Sequence, residues 1–145
     1  MKPVLSKKEV MKEILKSGKD PSYFINNYAK ITHPLKGLVP FKTYDYQQDI
    51  LKDFEDHRFN IVLKARQLGL STITAAYVVW LLLFHREKNV LVLATKFHTA
   101  ANLVKKVKSI LKNCPDWIRI AEVAIDNRTS FELTNGSQIK ASSTS

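Results

Sequence analysis

Cysteine is almost absent from this chain: Cys114 stands alone in 145 residues. A single thiol cannot close an internal disulfide, so the fold must rest on its core, and a reducing compartment is its natural home. No His or carboxylate cluster with metal-ligand spacing accompanies it, and it reads as a partly buried structural thiol. Long apolar runs are missing too. The longest, residues 77–84, falls well short of the roughly 20 residues needed to cross a bilayer. The N-terminus, Met1-Lys2-Pro3, opens onto a charged segment and not onto an apolar signal core. These absences exclude a membrane partner on this reading and predict a cytoplasmic protein. There is no internal repeat, and nothing resembles a flexible linker between two complete domains.

What is present is an apolar fraction of 45%, enough for a globular core. Acidic residues are in deficit, 13 against 23 Lys and Arg, for a formal charge of +10. The first 60 residues carry +3 of it and the remainder +7. Such an imbalance favours polyanion partners, meaning nucleic acid or nucleotide, or else forms a plain soluble basic surface.

Ser6-Lys7-Lys8-Glu9 fits a capping box at the start of a helix. Asp20-Pro21 is a second start signal, an N-cap followed by proline at the first helical position. A loop over residues 33–37 follows, and Thr43 is placed to cap a third helix. The period then changes. Residues 59–63, Phe-Asn-Ile-Val-Leu, are short, apolar and β-branched, the pattern of a buried parallel strand. A helix is predicted over 71–85, a second buried strand over 90–94 and a lysine-rich helix over 98–112. Strand, helix, strand, helix implies a right-handed crossover and a parallel sheet flanked by helices. Asn135-Gly136, between alternating runs, predicts a hairpin. The expected layout is an N-terminal helical segment over 1–43 and the front part of an α/β domain over 44–145.

Between the first predicted strand and its helix lies Lys64-Ala65-Arg66-Gln67-Leu68-Gly69-Leu70-Ser71-Thr72. At such a junction backbone amides and the helix N-terminus favour an anion. The usual phosphate loop reads G-x-x-x-x-G-K-[ST]. Aligned on Gly69 and Ser71, this chain has Lys64 in place of the first glycine and Leu70 in place of the lysine. The chemistry survives if Lys64 reaches back across the loop as the phosphate-binding cation, with Arg66 as a second, bidentate one. Ser71 supplies the hydroxyl for Mg²⁺, with Thr72 one position on as the fallback. Upstream, the amide of Gln47, beside Tyr46, has the donor and acceptor to read an adenine edge.

These residues carry a resemblance. From about residue 24 onward the chain resembles the large terminase subunit of tailed phages, in particular the T4-like kind. The likeness runs through Ile31-Thr32-His33, Asp45-Tyr46-Gln47, Ala65-Arg66-Gln67-Leu68-Gly69 and Leu133-Thr134-Asn135-Gly136-Ser137. It implies a P-loop ATPase fold of the ASCE type, ATP with Mg²⁺ as cofactor, and translocation of double-stranded DNA into the capsid in the host cytoplasm. It implies a portal protein ring and a small terminase subunit as partners. By position, Gln47 looks like the adenine-reading glutamine, Arg66 the loop arginine and Ser71 the Mg²⁺ hydroxyl. Leu70 departs from the T4-like pattern; other terminases put lysine at the loop's start, which supports Lys64. The family continues into a strand ending in Asp-Glu, which does not follow here, so a fragment or truncated product is expected, inactive by itself. The competing readings are a superfamily 2 helicase-like ATPase fragment, against which Leu70 counts, and a non-catalytic remnant with a basic DNA-binding surface. Lys105, Lys106, Lys108 and Lys112 would serve the latter, or simply form the wet face of an amphipathic helix.

Overall fold

A computed structural model describes residues 4–63 and 69–144. Both N-terminal start signals act as expected. In α1 (Lys7–Lys19) the Ser6 hydroxyl accepts from the Glu9 amide at 3.2 Å, and the Ser6 amide donates to the Glu9 carboxylate at 2.7 Å. In α2 (Pro21–Tyr28) Asp20 accepts from the Ser22 amide at 2.9 Å. The two helices are tied by Glu13, whose carboxylate accepts from the hydroxyls of Tyr23 at 2.5 Å and Tyr28 at 2.7 Å. Those two hydrogen bonds hold the Glu13 carboxyl below its ordinary value.

The loop expected at 33–37 is the turn of a small hairpin, β1 (Lys30–His33) with β2 (Gly37–Pro40), which the sequence reading had missed. Helix α3 (Asp45–Asp56) starts one residue later than expected: Tyr44 is its N-cap, and Gln47 takes the Tyr44 amide at 2.9 Å. Thr43 instead bonds to Asn26 and accepts from Gln48.

Residues 59–63 overturn an expectation. They form no strand, and Ile61 and Leu63 are fully exposed. A strand needs a ladder partner as well as an apolar pattern, and among the described residues no strand pairs with this segment. The expected parallel sheet is present only in part. Four strands, β3 (Asn89–Ala94), β4 (Val123–Asn127), β5 (Ser130–Leu133) and β6 (Gln138–Ser143), lie in the order β3-β6-β5-β4. Only β3 and β6 are parallel, in register from Asn89↔Gln138 to Ala94↔Ser143; the other two pairs are antiparallel. The protein is therefore of mixed α/β class, with one parallel pair inside a mixed sheet.

Helices α4 (Leu70–Phe84) and α5 (Phe97–Lys112) fall within one residue of their expected bounds. Helix α4 is apolar around its whole circumference, because it is packed from several sides: Ile73, Val79, Leu82 and Leu83 are among its buried residues. This is where the apolar run 77–84 goes, and among the described residues no helix is long and apolar enough to cross a membrane. Helix α5 turns Val104, Val107, Ile110 and Leu111 inward. Trp80 donates its indole N–H to the Ser17 carbonyl at 2.8 Å, fastening α4 to α1. One sheet face meets this core through Phe131, Leu133, Ile139 and Ala141; on the other, Leu91 and Leu93 of β3 are exposed.

The predicted Asn-Gly hairpin is present, with Gly136 at φ 84°. It has a second task. The Asn135 side-chain amide donates to the carbonyls of Leu82 at 2.8 Å and His85 at 3.2 Å, and the Ser137 hydroxyl donates to His85 at 2.8 Å. These are the carbonyls a helix C-terminus leaves without intrahelical partners.

Cys114 is buried, its thiol near the Ile110 carbonyl at 3.2 Å, and burial pushes its pKa up to about 12. At pH 8 the thiolate fraction is then on the order of 1 in 10,000. Reaction with an aromatic disulfide reagent is expected to be negligible in the native protein and complete in denaturant; rapid native labelling would show that the thiol is accessible.

Candidate functional site

The candidate loop divides at Gly69. Lys64, Ala65, Arg66, Gln67 and Leu68 lie outside the described residues; Gly69, Leu70, Ser71 and Thr72 lie within them. Gly69 is the N-cap of α4 in the left-handed conformation, φ 69°, ψ 19°, which glycine adopts at little steric cost. Its carbonyl accepts the first helical bond, from the Ile73 amide at 3.0 Å. Leu70 sits half-buried against the core, so the side chain at the usual lysine position anchors the helix instead of supplying charge. Ser71 is exposed and Thr72 half-buried.

Among the described residues no side chain caps the start of α4, and its first turn carries no acidic residue. Its first amides have no acceptor within the helix, and the aligned peptide dipoles place partial positive charge there.

The fold brings Gln47 to this point. It is only 3% exposed, and both ends of its amide are engaged. The carbonyl oxygen accepts the Tyr44 amide at 2.9 Å, and the nitrogen donates to the Gly69 carbonyl at 3.3 Å. A Cβ at Gly69 would lie 2.8 Å from that nitrogen. Gln47 thus braces the start of α3 against the start of α4. To read an adenine edge, as the resemblance implies, its amide would have to use its remaining hydrogen and lone pair or exchange these partners. Tyr44 and Tyr46 stack beside it, ring centroids 5.7 Å apart and planes 9° apart, with exposed faces.

One contact was not foreseen: the Lys106 ammonium of α5 reaches the Thr72 hydroxyl at 3.4 Å. Sequence spacing marked Lys106 as one of four clustered lysines but carried no information on which helix it would meet. The cluster is in fact divided. Lys108 turns the other way, to Asp126 at 2.7 Å and to the Asn127 carbonyl.

Ser71 presents an exposed hydroxyl, and among the described residues no group of three His, Cys, Asp or Glu side chains could hold a metal ion. No family model matches the chain.

Proposed function

We propose that this chain is the nucleotide-binding front part of a DNA-packaging ATPase, a large terminase subunit that couples ATP hydrolysis to movement of double-stranded DNA. The observation that carries the reading is Gly69, left-handed at the acid-free start of α4 and braced by Gln47. In sequence it comes five residues after Lys64 and three after Arg66, and the start of a helix in that setting favours phosphate. In this reading ATP-Mg²⁺ is the cofactor: Lys64 and Arg66 neutralise the phosphates, Ser71 faces the metal, and Tyr46 with Gln47 borders the base. The portal ring and the small terminase subunit are the partners of the assembled motor.

Completion of the chemistry needs more than this. Phosphoryl transfer depends on positioned charge and a positioned nucleophile. Neither parallel strand, β3 (Asn89–Ala94) nor β6 (Gln138–Ser143), contains a carboxylate that could help hold Mg²⁺ or orient water. These 145 residues are therefore expected to bind ATP and not to turn it over. The measurement is phosphate release with and without duplex DNA; sustained turnover abolished by Lys64→Ala would show that other residues complete the site.

A further inference from the structure

Between Asp56 and Asp116 the chain carries ten Lys or Arg and a single carboxylate, Glu87. That stretch holds nearly all of the net charge, and the fold gathers part of it into a cleft. The cleft has a volume of about 370 Å³ and lies between α5, the β1 strand and the first turn of α4. Its polar lining is Thr32, Thr72, Asn102, Lys105, Lys106 and Ser109. Lys105, Lys106 and Asn102 are exposed, and no carboxylate is among the lining residues.

A second depression, of about 620 Å³, near the C-terminal end of α5 shows what a neutralised surface looks like here. Its Lys108, Lys112 and Arg119 are matched by Asp116, Glu122 and Asp126, with two of the cations in ion pairs. Among the described residues the first cleft has no such compensation.

We propose that the Lys105–Lys106 cleft binds the phosphodiester backbone of a nucleic-acid duplex. Ammonium groups, hydroxyls and a side-chain amide are the donors that contact phosphate and sugar. The lining contains no aromatic ring, so it offers no platform for stacking unpaired bases, on which single-strand binding relies. Through Lys106 and Thr72 the cleft touches α4 within its first turn, although the assignment does not depend on the nucleotide reading.

The test uses the chain with fluorescent 24-base-pair DNA and RNA duplexes and the single DNA strand, by anisotropy across a salt series. In the Lys105→Ala/Lys106→Ala double variant, duplex affinity is expected to fall roughly tenfold or more at low salt. The slope of log K against log salt should become shallower by about 1.8, or ~0.9 per lost phosphate contact. Lys105→Arg/Lys106→Arg, which keeps the charge, should restore the slope, and Lys7→Ala/Lys8→Ala on α1 should leave it unchanged. Affinity for an ATP analogue should not move. Equal slopes in wild type and the Lys105/Lys106 alanine variant, an equal loss in the α1 variant, tighter binding of the single strand, or loss of nucleotide affinity in place of duplex affinity would each overturn the assignment.

Discussion

Replacing Lys64 with alanine is expected to weaken ATP-analogue binding by roughly ten- to a hundredfold, the cost of about 1.5–3 kcal/mol for losing a hydrogen bond to a charged group. The expectation rests on spacing. The usual lysine position is occupied by Leu70, which is committed to the core, so the phosphates need a cation from elsewhere in the loop. Lys64 and Arg66 are the two that the loop contains. Lys64→Arg should retain much of the affinity if charge alone is required, and less if the compact ammonium must fit among backbone amides. Titration calorimetry with a non-hydrolysable analogue reads this directly. An alanine variant that binds as tightly as wild type would remove Lys64 from the site, and Lys106, close by at Thr72, would be the next cation to examine.

The largest effect on stability is expected from Asn135→Ala. Its amide nitrogen holds two carbonyls at the end of α4, and its oxygen accepts the Ser137 amide at 3.0 Å. Three hydrogen bonds at about 1 kcal/mol each amount to roughly 3 kcal/mol. In a domain near this size that lowers the melting temperature by roughly 6–12 °C. Asn135→Asp should be no better, since it presents a second oxygen to the Leu82 and His85 carbonyls. Thermal unfolding followed by circular dichroism tests this; a shift below about 2 °C would mean that the turn, not the cap, is what Asn135 provides. In that case Gly136, at φ 84°, would be the residue on which the hairpin depends.

Much of this protein was determined by its sequence alone. The Ser6 capping box, the Asp20-Pro21 start, both α4 and α5, the strand from Asn89 and the Asn-Gly hairpin were legible, because each depends on neighbours within a few residues. The turn at Gly69 was legible for the same reason: glycine enters the left-handed region at little cost, and a helix pattern begins directly after it. What only the tertiary structure decided was pairing. Residues 59–63 have the composition of a buried strand and are not one, since no local signal says whether a ladder partner is present. The mixed sheet order was hidden likewise, because β6 lies beside β3 across a separation of 49 residues, from Asn89 to Gln138. The candidate site divides along the same line. Residue types alone marked Gln47 and Gly69 as candidates. That the Gln47 amide grips the Gly69 carbonyl, and that Lys106 separates from Lys108 to reach Thr72, depended on how α3, α4 and α5 pack. Side-chain burial across elements distant in the chain sets that packing, and it leaves no trace in local periodicity.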